Sequence, residues 1–379
     1  MDFKLTEDQK AIQVFARDFA QNEILPLARK YDEEEAFPLE VMEKMHEHGL
    51  SNLAIPEQYG GPGIDRISHA LIVEEVAHAC PGVATSLEAN SLSSYPILIG
   101  ADENLKEKYL AKLTKEGKFA SFALTEPSAG SDVRSLKTTA KRVGDEYILN
   151  GEKCFITNAS YADFYVVLAK VNDEESGKKL FTAFIVDRHL DGVKIGEKEN
   201  KLGLRASDTA SVIFEDVNIP ASHRIGKEGD GFKIFMKALM NARPMVGAQA
   251  LGIAQAAFEA SVNYAKERKQ FNGPIASFQA IQFMLADMAM SIEASRLLVY
   301  QAVQSLQSGK PSVKQSSFAK CFASDTAMKV ATDAVQIFGG YGFTRDYLVE
   351  KYFRDAKIMQ IYEGTNQIQR VVIAKEILA

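Results

Sequence analysis

The spacing of apolar residues changes twice along the chain, and this limits the fold more than any other feature of the sequence. Apolar residues recur at helical spacing up to about residue 118, alternate at strand spacing from Phe119, and return to helical spacing from Gly231. Helical segments flank the strand segment without interleaving with it, which argues against a single mixed core. We therefore predict a helical domain over residues 1–118, a β domain of barrel or sandwich type over 119–230, and a helical bundle over 231–379.

Local signals predict where several elements begin and turn. Thr6 followed three residues later by Gln9 is the pattern of a capping box at a helix start. Within the β domain, Gly144-Asp145 and Asn150-Gly151 are dipeptides typical of hairpin turns. Alternating apolar residues then predict strands over Tyr165–Val171, Phe181–Val186 and Ser211–Val217.

Composition excludes several classes of protein. The formal net charge of −6 leaves no basic surface of the kind that binds nucleic acid. The three cysteines, at positions 80, 154 and 321, are too few and too far apart for a disulfide framework or a zinc site, so no metal is expected. The first residues do not resemble a signal peptide, and no apolar run is long enough to span a membrane. We expect a cytoplasmic protein of bacterial type, with a removed organelle-targeting segment as the alternative.

Two segments of the β domain could contact a flat ligand. Phe122-Ala123-Leu124-Thr125-Glu126-Pro127-Ser128-Ala129-Gly130-Ser131-Asp132 takes a strand end into small residues, which offer N–H groups and hydroxyls to a ring edge or a phosphate. Phe155-Ile156-Thr157-Asn158 combines an aromatic face with a hydroxyl donor. Taken alone, the first is more simply a strand-to-loop exit and Phe155 is more simply a core residue.

Two further segments follow predicted helices. Glu267-Arg268-Lys269-Gln270-Phe271-Asn272-Gly273-Pro274, with Phe278-Gln279 after it, contains a guanidinium fork suited to a diphosphate. Val335-Gln336-Ile337-Phe338-Gly339-Gly340-Tyr341-Gly342-Phe343 has three glycines that allow close approach to a ligand or a neighbouring subunit. The simpler alternatives are a solvated helix end and a glycine helix stop at Gly339, although a stop does not explain the later glycines.

The segment Ile361-Tyr362-Glu363-Gly364-Thr365-Asn366-Gln367-Ile368-Gln369-Arg370 places a carboxylate directly before a glycine. Glu363 can therefore be presented to a ligand while the backbone approaches closely, as a catalytic base requires. On this segment alone, a turn or a helix end is the commoner explanation.

Taken together and in this order, TEPSAGSD, FITN, ERKQF, QIFGGYGF and IYEGTNQIQR resemble the motifs of the acyl-CoA dehydrogenase family across nearly the whole chain. The resemblance implies an α+β multidomain fold with an N-terminal helical domain, a middle β domain and a C-terminal four-helix bundle. It implies a bound FAD, a homotetramer, and an electron-transfer flavoprotein as electron acceptor. The implied reaction converts an acyl-CoA thioester to the trans-2-enoyl-CoA, with Glu363 abstracting the α proton and flavin N5 taking the β hydride.

The resemblance also assigns binding residues by matching motif. FAD would be held, partly across a subunit interface, by Phe122, Leu124, Thr125, Gly130, Ser131, Phe155, Ile156, Thr157, Arg268, Phe271, Phe278, Gln279, Gln336, Ile337, Phe338, Gly339, Gly340, Thr365, Asn366 and Gln367. The acyl-CoA would be held by Ser131, Met240, Asn241, Arg243, Glu88, Tyr362 and Gly364. The thioester oxygen would accept hydrogen bonds from the N–H of Glu363 and from a flavin ribityl hydroxyl.

Other carboxylates are weaker candidates for the base. Some branches of the family place the base where this chain has Ala242, and alanine cannot accept a proton. Glu126, Glu88 and Glu267 are interpreted as surface, pocket and helix-end groups. A buried Glu363 should have a raised pKa and become a stronger base when substrate excludes water.

The acyl pocket should be lined by residues 87–92, by Tyr95, and by the helical turn Met240–Arg243 opposite them. A straight short- to medium-chain acyl group is the first choice, and a branched or alicyclic group such as cyclohexanecarboxyl is the alternative. Glutaryl-CoA is disfavoured, because that branch has an arginine near Val83 and Glu88 would repel the distal carboxylate. The rival functions are an acyl-CoA oxidase, which is usually longer, and a non-catalytic flavoprotein scaffold, which would be expected to lose the base.

Overall fold

The N-terminal third of the computed structural model is helical, and the structure describes residues 4–172 and 177–379. Its helices are α1 (Glu7–Phe19), which continues through a π-helical turn at Ala20–Ile24, α2 (Leu25–Glu33), α3 (Leu39–Glu47), α4 (Arg66–Ala79), α5 (Pro81–Gly100) and α6 (Glu103–Thr114). The predicted capping box is confirmed, because the Thr6 hydroxyl accepts from the Gln9 N–H while the Gln9 side chain accepts from the Thr6 N–H.

The middle of the chain forms an eight-stranded sheet in the part that the structure describes. Its strands are β1 (Phe119–Ala123), β2 (Thr139–Val143), β3 (Glu146–Thr157), β4 (Ala162–Asn172), β5 (Lys179–Asp187), β6 (Val193–Lys198), β7 (Thr209–Pro220) and β8 (Arg224–Ile225). The order across the sheet is β6-β7-β3-β2-β4-β5-β8, and β1 pairs in parallel with β4. The three strand runs expected from the alternation lie within β4, β5 and β7.

One of the two predicted hairpin turns is wrong. Gly144-Asp145 does join β2 to β3, but β3 continues straight through Asn150-Gly151. The register against β7 shifts between Leu149 and Gly151, so the dipeptide forms a bulge rather than a turn. Asn150 is held there by paired hydrogen bonds with Asp216, whose N–H donates to Asn150 Oδ1 at 2.9 Å. A bulge and a turn both favour glycine, which is why the local sequence does not separate them.

The C-terminal third returns to helices. They are α7 (Gly231–Glu267), α8 (Gln279–Gln307), α9 (Val313–Phe338), α10 (Val349–Met359) and α11 (Asn366–Leu378), with a small hairpin of β9 (Lys269–Gln270) and β10 (Gly273–Pro274) before α8. The observed order confirms the predicted α+β multidomain fold class, in which helical regions precede and follow the β domain.

The two helical regions share one apolar core, because α4 and α5 pack on α7 at least as extensively as its bundle partner α8 does. Gly252 allows this approach, since a Cβ there would lie 2.3 Å from the carbonyl oxygen of Glu74. Helix α5 also contacts β1, where Asn90 Oδ1 accepts from the Ala120 N–H at 2.9 Å. It therefore joins the β domain to the bundle. Among the described residues, no helix has the length and apolar character that crossing a membrane requires.

Candidate active site

The bend between α10 and α11 presents Glu363. Two successive residues have left-handed backbone, Glu363 with φ of 52° and Gly364 with φ of 92°. Their carbonyls turn inward: Gln369 Nε2 donates to Gly364 O at 2.9 Å and to Glu363 O at 3.3 Å. Lys320 Nζ from α9 donates to Gly364 O, also at 2.9 Å. In the described ranges, the N–H groups of Glu363 and Gly364 donate to no protein acceptor.

The residues after the bend start α11. Thr365 caps the helix by accepting from the Ile368 N–H at 3.2 Å. Asn366 is buried, and its amide donates to Asp325 Oδ1 at 2.7 Å and to Ser324 Oγ at 2.9 Å. Of the three cofactor residues predicted here, only Gln367 is exposed. The side chains of Thr365 and Asn366 are thus already engaged within the fold.

The carboxylate of Glu363 is the least satisfied acid in this region. Its Oε2 atom is buried and has no hydrogen-bond partner. Burial raises the pKa of Glu363 to about 7; the positive charges of Arg243 and Lys320 oppose this rise, and the negative charge of Glu88 adds to it. The group can therefore exist in both protonation states near neutral pH.

Arg243 faces the same bend from α7. It is only 7% exposed, and its Nε is buried without a partner. Nη2 lies 3.7 Å from the position that a Cβ would occupy on Gly364. Burial lowers the pKa of Arg243, and the charge of Glu363 opposes that change. One helical turn earlier, Met240 and Asn241 are half-buried, and the Asn241 amide donates to Lys237 O at 2.8 Å.

Helix α5 supplies the residues predicted to line the acyl pocket. Glu88 is buried and lies 2.8 Å from Nε2 of the buried His69. The buried Tyr95 packs in an apolar cluster with Ala238 and Ala242, which Phe122 joins from the β domain. Burial raises the pKa of Tyr95 to about 12; the charge of Arg66, whose Nη1 donates to the Tyr95 hydroxyl at 2.8 Å, opposes this rise, and the charges of Glu88 and Glu363 add to it.

On the other side of the bend, Tyr362 donates from its hydroxyl to Gln249 Oε1 at 3.1 Å. Gln249 Oε1 also accepts from Thr85 Oγ1 at 2.9 Å. The phenol is therefore engaged in a hydrogen-bond network that connects the bend to α5 and α7.

The two candidate flavin segments of the β domain lie side by side. Phe155 has φ of 56° and a ring that is 64% exposed. The preceding Cys154 N–H donates to Thr125 O at 2.9 Å, which fixes the first segment against β3. Gly130 and Ser131 are exposed, and Phe122, Leu124, Thr125 and Thr157 are half-buried. The side chain of Ile156 packs into the β core, so only its backbone can face a ligand.

The interpretation of Glu126 as a surface group is wrong. Glu126 is 4% exposed and pairs at 2.8 Å with Lys153, which is fully buried. Burial alone would raise the pKa of Glu126, but the charge of Lys153 and hydrogen bonds from Lys137 and Thr138 hold it below its usual value. Lys153 also donates to Leu124 O at 3.1 Å. A buried lysine in an alternating strand has no sequence signal, because lysine is ordinarily exposed.

The remaining predicted cofactor residues cluster at one end of the bundle. The Arg268 guanidinium lies 5.4 Å from the ring centroid of Tyr341, and the exposed Phe271 packs edge-on against Phe278. Gly339 does end α9, with φ of 62°. Gln279, Gln336 and Gly340 are exposed, whereas Ile337 and Phe338 are buried. Within residues 4–172 and 177–379, no hydrogen bond, ion pair or ring contact joins this cluster to Phe155 or Thr125.

The residues that support the bend were not found from the sequence. Lys320 and Gln369 hold Gly364, and His69 holds Glu88. Gln369 lies within the motif IYEGTNQIQR. Lys320, however, precedes Gly364 by 44 residues and lies in a segment with ordinary helical spacing. Only the packing of α9 under the bend brings it to the site.

Comparison with known proteins gives a consistent result. Family models for the acyl-CoA dehydrogenase N-terminal, middle and C-terminal domains match residues 6–117, 121–217 and 229–378. The probable acyl-CoA dehydrogenase FadE25 of Mycobacterium tuberculosis is 46% identical over 99% of this chain and 97% of its own length.

Solved structures share the whole fold. Butyryl-CoA dehydrogenase from Megasphaera elsdenii is 43% identical, with a TM-score of 0.96 and full coverage of both chains. A structure named for the electron transferring flavoprotein of Acidaminococcus fermentans is 47% identical, also with a TM-score of 0.96 and full coverage of both. An acyl-CoA dehydrogenase from Bacillus anthracis, complexed with FAD, is 36% identical with a TM-score of 0.93, covering 99% of this chain and 67% of that one. This chain belongs to the acyl-CoA dehydrogenase family of oxidoreductases.

Proposed function

We propose that the chain is an FAD-dependent dehydrogenase of a short, straight-chain acyl-CoA, and that Glu363 removes the α proton. The observation that carries the proposal is the buried, unpartnered Oε2 of Glu363, together with a pKa raised to about 7. An acid buried without a hydrogen-bond donor is destabilised as a carboxylate and is a stronger base for that reason.

The bend also supplies donors for the charge that forms during proton removal. The α C–H of a thioester is a weak acid, so the developing enolate oxygen needs hydrogen bonds as the proton leaves. The unpaired N–H groups of Glu363 and Gly364 are available for this purpose. Because Gln369 and Lys320 hold the carbonyls of this bend, these donors are oriented before substrate binds.

The residues present fit FAD. The exposed ring of Phe155 and the adjoining Leu124–Thr125 backbone offer a flat face with donors at its edge. At Gly130 and Gly340 an added Cβ would meet nothing within 4 Å and φ is not positive, so neither packing nor backbone conformation explains these two glycines. The predicted cofactor residues Arg268 and Phe271 would hold the diphosphate and adenine of a neighbouring subunit's cofactor. FAD, when bound, supplies the acceptor for the hydride equivalent that leaves the β carbon.

The substrate assignment rests on the lining of the pocket. The ring of Tyr95 would close one end of the pocket, and it packs in an apolar cluster with Ala238, Ala242 and Phe122. Such a floor favours a short alkyl chain over a long one. Glu88, close to Glu363, disfavours a chain ending in a carboxylate. The similarity to butyryl-CoA dehydrogenase supports the same choice.

The electron acceptor and the assembly are proposed on family grounds. The structural similarity to the Acidaminococcus fermentans protein supports an electron-transfer flavoprotein as partner. The separation of the two groups of predicted cofactor residues within one chain supports an FAD site that lies across a subunit interface, and the homotetramer itself is proposed from the family resemblance.

The test is an anaerobic mixing experiment. The flavin-loaded protein is mixed with butyryl-, hexanoyl-, octanoyl-, isobutyryl-, glutaryl- and cyclohexanecarboxyl-CoA, and the loss of flavin absorbance is followed. We expect fastest bleaching with butyryl- or hexanoyl-CoA and the trans-2-enoyl-CoA as product. Fastest bleaching with the cyclic or branched thioester would replace the substrate assignment, and rapid reoxidation by oxygen would indicate an oxidase.

A further inference from the structure

The buried Lys320 lies directly behind the bend that presents Glu363. Its Nζ donates to Gly364 O at 2.9 Å and to Asn366 Oδ1 at 2.8 Å. Both acceptors are neutral. Within the described ranges, no carboxylate oxygen lies within 4 Å of Lys320 Nζ, the limit for an ion pair. The nearest acid on the same helix, Asp325, is already bound by Asn366, Gln360 and Arg370. Packing alone does not explain an ammonium buried in this way.

A buried ammonium needs negative charge nearby. Burial lowers the pKa of Lys320 to about 8, and the largest opposing effect is the charge of Glu363, ahead of Cys321 and Asp325, while Arg243 lowers the pKa further. The interaction is reciprocal, since Lys320 lowers the pKa of Glu363. The charged groups around Glu363 are thus Arg243 from α7, Glu88 from α5 and Lys320 from α9.

Resting on the function proposed above, we propose that Lys320 is a positioning residue for the dehydrogenation. Its ammonium holds the Gly364 carbonyl, which keeps the bend in its left-handed conformation, and it places positive charge behind the base. The two roles are separable, because Gln369 holds the same carbonyl at the same distance but carries no charge.

Because the hydrogen bond and the charge of Lys320 are separate roles, different variants should have different effects. Lys320→Gln keeps a donor near Gly364 O and removes the charge, so the carboxylate of Glu363 loses stabilisation. The pH at which kcat/KM is half-maximal, which reports the free enzyme, should then rise by about one unit. Lys320→Met removes both donor and charge, so the midpoint should rise and the plateau at high pH should also fall. Gln369→Leu should lower the plateau and leave the midpoint where it is.

The experiment measures the second-order rate constant for flavin reduction at low butyryl-CoA concentration, which corresponds to kcat/KM, from pH 5.5 to 9.5 in the flavin-loaded wild type and the three variants. Flavin content and the thermal unfolding midpoint are recorded for each, so that a variant is compared only when folded and loaded. A pH midpoint that is raised in Lys320→Gln and unchanged in Gln369→Leu supports the proposal. An unchanged midpoint in both lysine variants, or an equal shift in Gln369→Leu, overturns it.

Glu363→Gln separates this proposal from the one on which it rests. If Glu363→Gln reduces flavin as fast as the wild type, Glu363 is not the base and the proposed function fails. If Glu363→Gln is inactive while Lys320→Gln and Lys320→Met match the wild type in midpoint and plateau, only the role of Lys320 fails.

Discussion

At the scale of single residues, the site is built from groups in environments that they ordinarily avoid. Glu363 has a left-handed backbone and a buried carboxylate oxygen without a donor. Such strain is retained at functional sites because the surrounding structure enforces it. The role proposed for Glu363 was suggested by its motif. Its supports, Lys320 and Gln369, could not be predicted, because burial of a lysine depends on which helices pack together.

The raised pKa of Glu363 has a consequence for stability. The folded protein holds this proton up to about pH 7, whereas an unfolded glutamate loses it near its ordinary pKa. The wild type should therefore lose stability as pH rises through this window, by about 1 to 3 kcal/mol. Glu363→Gln has no such proton and does not lose stability in this way. The free energy of unfolding of Glu363→Gln minus that of the wild type should therefore be larger at pH 8 than at pH 5. Urea unfolding at both pH values measures the difference; an equal difference at both would contradict the shift.

At the scale of elements, a buried ion pair holds the segment of the β domain that is proposed to contact the flavin. Lys153 on β3 holds both Glu126 and the carbonyl of Leu124. Lys153→Met would leave the Glu126 carboxylate buried without its counter-charge. We expect a loss of about 3 to 5 kcal/mol in the free energy of unfolding, together with weaker flavin retention.

The matched control for that prediction is the double variant Lys153→Met with Glu126→Gln. It removes both charges and should recover part of the stability lost in the single variant. Denaturant unfolding and flavin content measure the two effects. A single variant as stable as the wild type would show that the pair is not needed to hold this segment.

We expect helix α5 to set the depth of the proposed acyl pocket through Tyr95. Tyr95→Ala would remove the aromatic floor of the cluster with Ala238 and Ala242. The ratio of kcat/KM for octanoyl-CoA to that for butyryl-CoA should then rise by at least about tenfold. Tyr95→Phe keeps the ring and should keep the wild-type preference. An unchanged ratio in Tyr95→Ala would mean that another element ends the pocket.

Periodicity predicted which elements form more reliably than it predicted how they turn. The capping box at Thr6 was found because both partners are local. The Asn150-Gly151 bulge was mistaken for a turn because the strand that continues past it is held by β7, some sixty residues later in the chain. The local sequence does not carry that information.

At the scale of the whole molecule, the α, β, α order was predictable, but the sharing of one core by the two helical regions was not. The boundaries at residues 118 and 230 stay a prediction. Strand β1 begins at Phe119 and α7 at Gly231, but the apolar core formed by α4, α5 and α7 joins the first predicted domain to the third. The N-terminal helices and the bundle are therefore expected to unfold together.

The predicted homotetramer has a candidate contact on α8. Phe283, Met290 and Leu297 recur every seven residues and are exposed in the single chain, Met290 by 64%. Met290→Glu should reduce the molar mass in light scattering from four chains to fewer, because a carboxylate would be buried in the contact. Asn104→Glu, at an exposed position on α6, should leave the mass unchanged. A wild-type mass of one chain would contradict the tetramer itself.

The measurement that tests the account most directly is the rate constant for flavin bleaching by butyryl-CoA at pH 8, under anaerobic conditions, in the wild type, Glu363→Gln and Glu267→Gln. Glu267 ends α7, is exposed, and serves as the matched control. We expect Glu363→Gln to lose at least about a thousandfold in this rate constant while its flavin content stays normal, and Glu267→Gln to equal the wild type. Bleaching by Glu363→Gln at the wild-type rate would show that another group takes the α proton.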